Sequence, residues 1–111
     1  MSAVTTHVLD TARGEPAARV AVRLERLSDA GPEEIGRAST DADGRVQDIG
    51  PQRLRSGVYR LVFAAAEYFA SLGRVAFFPE VAVTFTVGGE APHYHVPLLL
   101  SPFGYSTYRG S

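Results

Sequence analysis

The sequence contains no cysteine. The chain therefore cannot form disulfides, thiolate zinc sites or iron–sulfur clusters, and it has no thiol nucleophile. Lysine is absent as well, because all 11 basic residues are arginine. Schiff-base chemistry and lysine nucleophiles are excluded together with the thiol chemistry.

The sequence also lacks a strong charge of either sign and long apolar runs. The formal net charge is −1, which is not the basic footprint of a nucleic-acid-binding protein. No run approaches the ~20 apolar residues of a membrane span, and the residues after Met1 lack the regions of a signal peptide. At 111 residues with 45% hydrophobic residues, we expect a single domain over residues 1–111 that is cytoplasmic and binds neither nucleic acid nor membrane.

Apolar and polar residues alternate along most of the chain, with turn residues at intervals of about ten, which is typical of an all-β sandwich. The predicted strands are 5–10, 19–27, 35–40, 57–63, 80–87, 92–100 and 105–109. We interpret SDAGPEE (28–34) as a loop, GGEAP (88–92) as a turn, and DADG (41–44) as a tight turn that leads into Arg45. The alanine-rich segment 64–72 predicts a short helix that Gly73 ends.

The three histidines are His7, His93 and His95. Alternate residues of a strand face opposite sides, so burial of Tyr94 and Val8 in the core would turn all three imidazoles outward. We expect them to share one exposed sheet surface. A flat sheet has no pocket, but a second copy stacked on it across a two-fold axis would create a cleft.

Two further interpretations of these residues stay open. Outward histidines, an arginine after a turn and a polar C-terminal segment can all be ordinary solvated surface. The second interpretation is a zinc site, because His93 and His95 are spaced to chelate a metal. His7 would be a third ligand if the strands are neighbours. No acidic residue lies two or four positions from His93 or His95, so we expect no metal site and no cofactor.

The chain resembles the transthyretin-like 5-hydroxyisourate hydrolases over essentially its whole length, and four segments carry the resemblance. They are THVLDTARGEPA, DADGR, FFPEV and HYHVPLLLSPFGYSTYRGS. The closing YRGS is the most specific, because it separates the hydrolases from the hormone-carrying transthyretins. The resemblance implies a transthyretin-like (prealbumin-like) β-sandwich of two four-stranded sheets with one short helix. It also implies a homotetramer, built as a dimer of dimers, with active sites at the dimer–dimer interface.

The resemblance also assigns site residues. The family's catalytic residues fall on His7, Arg45 and His95. Its substrate-binding residues fall on His7, Arg45, Tyr108 and Ser111, and His93 receives a supporting role.

The implied reaction is the opening of the lactam ring of 5-hydroxyisourate, in urate and purine degradation. Water attacks the ring carbonyl, the C–N bond breaks, and the product is 2-oxo-4-hydroxy-4-carboxy-5-ureidoimidazoline. Either His7 or His95 would accept the proton of the water. Ser106 or Thr107 could instead act as a nucleophile, although neither has an acidic partner for a triad. The sequence is also compatible with a non-catalytic β-sandwich module and with a carrier that binds a ligand in the same channel.

Overall fold

The computed structural model describes residues 2–88 and 92–111. Its elements in chain order are β1 (Val4–Asp10), β2 (Glu15–Pro16), β3 (Ala21–Ser28), β4 (Gly31–Ser39), β5 (Arg45–Ile49), β6 (Gly57–Phe63), α1 (Ala65–Ser71), β7 (Val81–Val87), β8 (Tyr94–Ser101) and β9 (Gly104–Thr107). The predicted turn at 88–92 lies mostly outside the described residues.

The strands form two sheets that enclose one core. The first sheet has the order β2-β1-β8-β9, and β5 also pairs with β1. Within it β1 runs parallel to β8 and antiparallel to β2 and β5. The second sheet has the order β4-β3-β6-β7, and its strands are antiparallel throughout. The predicted all-β sandwich with one short helix is confirmed, and the two-residue β2 is added to four longer strands of the first sheet.

Burial of one face of each strand in the core explains why apolar and polar residues alternate in the sequence. In β8 the side chains of Tyr94, Val96, Leu98 and Leu100 are buried, as the alternation predicted. In β6 the same rule buries Tyr59, Leu61 and Phe63. Since both inner faces are apolar, burial of these side chains supplies the main stabilisation of the sandwich and fixes which residues point outward.

The helix α1 is short and packs on the sandwich through Tyr68 and Phe69, which are buried. Gly73 adopts a φ of +70°, and its N–H donates to the carbonyl of Ala70 at 3.0 Å while the Arg74 N–H donates to that of Phe69 at 2.9 Å. This is the pattern that a glycine permits after the last helical turn, so the predicted helix end is confirmed. Among the described residues no helix has both the length and the apolar character needed to cross a membrane.

One expectation about a loop was wrong, and one strand was not predicted. Within SDAGPEE, residues 31–34 belong to β4 and pair with β3. The charged side chains of Glu33 and Glu34 suggested a loop, but they lie exposed on a strand at the edge of the sheet, where charge is common. Residues 45–49 form β5, which is short and half exposed, and the sequence did not predict it.

Candidate active site

The strands that carry the predicted catalytic residues lie side by side in the first sheet. In the parallel pairing of β1 with β8, Thr5 lies opposite His95. In the antiparallel pairing of β1 with β5, His7 lies opposite Arg45. Residues opposite each other in register, and residues two apart on a strand, share a face of the sheet. The structure therefore brings His7, Arg45 and His95 into one outward-facing patch.

The turn before β5 holds Arg45 in this patch. The Asp41 Oδ1 accepts hydrogen bonds from the backbone N–H groups of Asp43 at 2.9 Å and of Arg45 at 3.0 Å. Gly44 has a φ of +75°, and a Cβ at this position would collide with the carbonyl oxygen of Val8. The Val8 N–H donates to the Gly44 carbonyl at 2.7 Å. The turn is thus attached to β1 beside the first histidine of the site.

His7 is fixed by the same turn. Its Nε2 lies 2.9 Å from the backbone carbonyl oxygen of Asp43. A carbonyl oxygen only accepts hydrogen bonds, so Nε2 carries the proton and donates it. In neutral His7 the free lone pair is therefore on Nδ1.

His95 is half-buried and hydrogen-bonded through its other ring nitrogen. Its Nδ1 lies 2.8 Å from the Thr5 Oγ1, and the same hydroxyl oxygen lies 3.0 Å from the Nε2 of His93. Burial is the main cause that lowers the pKa of His95, and the positive charge of Arg45 and then His93 and His7 lower it further. His95 is consequently a neutral imidazole near pH 7, which is the form that can accept a proton.

The C-terminal segment packs directly on His95. The Gly110 N–H donates to the His95 carbonyl at 2.8 Å, in an isolated antiparallel bridge. A Cβ on Gly110 would lie 2.5 Å from the His95 Cδ2 and 3.2 Å from Pro97 Cγ. The Arg109 guanidinium lies 5.1 Å from the ring centroid of Tyr94. The YRGS segment is therefore held against β8, and the absence of a side chain at Gly110 leaves room for the imidazole.

His95 lines two neighbouring cavities. One is a depression of about 210 Å³ whose lining includes Thr5, Arg45, His93 and Ser111. The other is a groove of about 310 Å³ between β7 and the C-terminal segment, and Tyr108 lines it. Tyr108 is 59% exposed. Within one chain, Ser111 thus reaches the depression, whereas Tyr108 lies on the other side of His95.

Thr5 is the residue of this site that sequence reasoning missed. It is 5% exposed and touches both imidazoles of the HYH segment. Its position two residues before His7 places it on the same outward face as His7. Only the register of β1 against β8 shows that it contacts His95. That register joins segments 90 residues apart, and the alternation within each strand does not reveal it.

Residues 2–88 and 92–111 contain no group of three or more histidine, aspartate or glutamate side chains placed to hold a metal ion. His93 and His95 instead meet at the hydroxyl of Thr5. The patch presents imidazole, guanidinium and hydroxyl groups, and the absence of a metal cofactor stays a prediction.

The chain is similar to several other proteins over nearly its whole length. Residues 4–110 match the family described as the HIUase/Transthyretin family. The chain is 44% identical over 109 residues to the 5-hydroxyisourate hydrolase of Salmonella dublin, covering 97% of this chain and 80% of that protein. The solved 5-hydroxyisourate hydrolase of Klebsiella pneumoniae has a TM-score of 0.88 and 36% identity, with 99% and 100% coverage. Transthyretin from Sparus aurata has a TM-score of 0.90 and 32% identity, with 99% and 97% coverage.

Proposed function

Since the chain belongs to the HIUase/transthyretin family, we propose that the patch of His7, Arg45 and His95 is the site at which it hydrolyses 5-hydroxyisourate. The reaction opens the lactam ring with water and yields 2-oxo-4-hydroxy-4-carboxy-5-ureidoimidazoline. The curated relatives named as hydrolases support this enzyme rather than a non-catalytic module. The single observation that carries the site is the register of β1, which sets His7 opposite Arg45 and Thr5 opposite His95.

His95 is the proposed general base. Its lowered pKa keeps the imidazole neutral, and its Nδ1 is engaged by Thr5. Its Nε2 has no hydrogen-bond partner among the described residues and is free to take a proton from water as the water oxygen attacks the ring carbonyl. This assignment selects between the two histidines that the sequence left open.

Arg45 and His7 take the other two tasks. The planar guanidinium of Arg45 presents paired donors to the electron-rich substrate and to the oxyanion that develops at the carbonyl carbon. When the C–N bond breaks, the leaving nitrogen needs a proton, and protonated His7 supplies it from Nδ1. The Asp43 carbonyl accepts from Nε2 of His7 and thereby holds the imidazole in place. Ser111, which lines the depression, is a proposed contact to the rest of the substrate. Tyr108 is a proposed contact from the adjoining groove, which His95 also lines.

The site is proposed to be completed by assembly into a homotetramer, a dimer of dimers with active sites at the dimer–dimer interface. The depression of about 210 Å³ is smaller than the ~300–1,000 Å³ of typical small-molecule sites. Its position on an outer sheet face supports closure by a second copy, which would exclude water from the reacting groups. We also propose a cytoplasmic location, which cell fractionation would test.

The first experiment measures the decay of 5-hydroxyisourate absorbance with and without the purified protein. The substrate also decays spontaneously, so the rate without protein is the baseline. We expect the protein to accelerate the decay. Equal rates with and without protein would contradict the proposed function.

The roles are tested by the single substitutions His7→Ala, Arg45→Ala and His95→Ala. Each is expected to lower kcat by about 10²-fold or more, the scale for losing a positioned acid, base or oxyanion donor. Arg37→Ala is the matched control, because Arg37 is an exposed arginine on β4 whose guanidinium pairs with Glu34. The control is expected to keep the full rate. Unchanged rates in all three site variants would remove these residues from the mechanism.

A further inference from the structure

The hydroxyl of Thr5 lies between two imidazoles, in a position that constrains both. Its oxygen is 2.8 Å from the Nδ1 of His95 and 3.0 Å from the Nε2 of His93. Thr5 is 5% exposed, so bulk water does not replace these partners freely. The three side chains form one continuous hydrogen-bonded unit that ends at the proposed base.

A hydroxyl group has a single proton to donate, and this limits the arrangements of the unit. When the Thr5 hydroxyl donates to His93, its oxygen accepts from the Nδ1–H of His95, and the lone pair of neutral His95 is then on Nε2. When the hydroxyl donates to His95 instead, Nδ1 holds the lone pair and the proton sits on Nε2. Only the first arrangement leaves His95 able to accept a proton at Nε2.

The geometry points to His93 as a positioning residue that acts through Thr5 to select the tautomer of His95 in which Nε2 is the base. This inference rests on the proposed role of His95. His93 performs its part by accepting the hydroxyl proton of Thr5 at Nε2, which requires that nitrogen to be unprotonated. If Nε2 of His93 carried a proton, it would donate to the Thr5 oxygen, and the direction of both hydrogen bonds would reverse. The Thr5 hydroxyl would then donate to Nδ1 of His95, and the proton of neutral His95 would be on Nε2.

The other groups around His95 do not perform this selection. Arg45 on β5 and His7 on β1 act on it by charge, and a charge does not distinguish the two tautomers in the way that a hydrogen bond to one nitrogen does. Gly110 contacts ring carbon atoms and the backbone carbonyl. Among the described residues, Thr5 is the one hydrogen-bond partner of the imidazole.

Two matched pairs of variants test the proposal by kinetics. Thr5→Val removes the hydroxyl, whereas Thr5→Ser keeps it. His93→Leu removes the acceptor, whereas His93→Gln keeps a neutral acceptor at a similar reach. We expect Thr5→Val and His93→Leu each to lower kcat on the order of 10- to 100-fold, by analogy with the partners that orient metal-binding histidines. Thr5→Ser and His93→Gln are expected to retain most of the rate.

The double variant Thr5→Val/His93→Leu distinguishes a shared positioning role of the two residues from two independent losses of structure. Because both residues act in one unit, the double variant is expected to be no slower than Thr5→Val alone. Losses that multiply in the double variant would overturn the proposal, as would equal rates within either matched pair. If Thr5→Val does not fold, Thr5→Ser and the His93 pair still decide the outcome.

An NMR measurement without substrate distinguishes failure of this proposal from failure of the proposed function. Long-range proton–nitrogen spectra of the 15N-labelled protein report which ring nitrogen of each histidine carries the proton. We expect the proton of neutral His95 on Nδ1 in the unmodified protein, in Thr5→Ser and in His93→Gln. We expect it to move towards Nε2 in Thr5→Val and His93→Leu. A tautomer of His95 that is the same in all five proteins would refute the proposal whatever the catalytic rates.

Discussion

At the scale of single residues, the orientation of His95 depends on what surrounds its ring on two sides. Thr5 holds Nδ1 by a hydrogen bond, and Gly110 lies so close to the ring that any side chain would displace it. The glycine is required here by close approach rather than by a positive φ. Gly110 of the YRGS segment therefore contributes by lacking a side chain, which leaves room for the imidazole of His95.

Gly110→Ala is expected to push the His95 ring away from its position and to lower kcat by about 10-fold or more, because small displacements of reacting groups are costly. Gly104→Ala is the matched control, since a Cβ there meets its nearest atom, the Ser101 Oγ, at an ordinary 3.7 Å. The comparison uses the hydrolysis rate and the thermal midpoint of both variants. A Gly110→Ala enzyme as fast as Gly104→Ala would show that the ring tolerates the methyl group.

Sequence alone predicted part of this geometry. The alternation of apolar residues placed His7 and His95 on an outward face, because burial of one set of side chains leaves no choice for the other. The contact between Thr5 and His95 and the packing of Gly110 depend on how distant segments are aligned, and no local pattern encodes that alignment. For the same reason the position of Tyr108, on the far side of His95 from the depression, was not predicted.

At the scale of elements, the DADG turn links the position of Arg45 to that of His7. The sequence predicted the turn from its residue types, since aspartate and glycine favour tight turns. It did not predict β5 after the turn, because a five-residue strand that is partly exposed has no clear alternation. The carboxylate of Asp41 organises the turn through two backbone N–H groups, and the turn in turn offers the Asp43 carbonyl to His7.

Asp41→Ala is expected to loosen the turn and to lower kcat several-fold, because the two released N–H groups are exposed and water replaces part of the lost bonding. The free energy of unfolding is expected to fall by about 1 kcal/mol. Both quantities are compared with Asp29→Ala, which removes an exposed carboxylate from the β3–β4 turn in the other sheet. If the two variants have the same rate, the turn does not determine the position of the site residues.

At the scale of the whole molecule, three large apolar side chains are exposed. Val75, Phe77 and Phe103 are 80%, 71% and 73% exposed, and a hydrogen bond from the Phe77 N–H to the Pro102 carbonyl at 2.8 Å holds two of the segments together. A contiguous exposed apolar patch commonly marks a surface that a partner covers. They support assembly of the chain with further copies of itself.

The assembly is tested by dilution. Because the proposed site needs a second copy to become a cleft, the hydrolysis rate per chain is expected to stay constant while the tetramer persists. It is expected to fall in proportion as the tetramer dissociates. Sedimentation and the absorbance assay are run at the same set of concentrations. A monomer with the full rate per chain would contradict the quaternary proposal and leave the chemical roles of the three residues standing.

The parallel pairing of β1 with β8 has a consequence for how the protein is made. During synthesis β1 emerges before its partner β8, which follows about 90 residues later. At ~5–20 residues per second this is a delay of several seconds or more. Until then one edge of β1 has unpaired N–H and C=O groups that can bind strands of other chains. The nascent polypeptide therefore spends this interval vulnerable to aggregation, and we expect chaperones to improve its yield most when translation is slow.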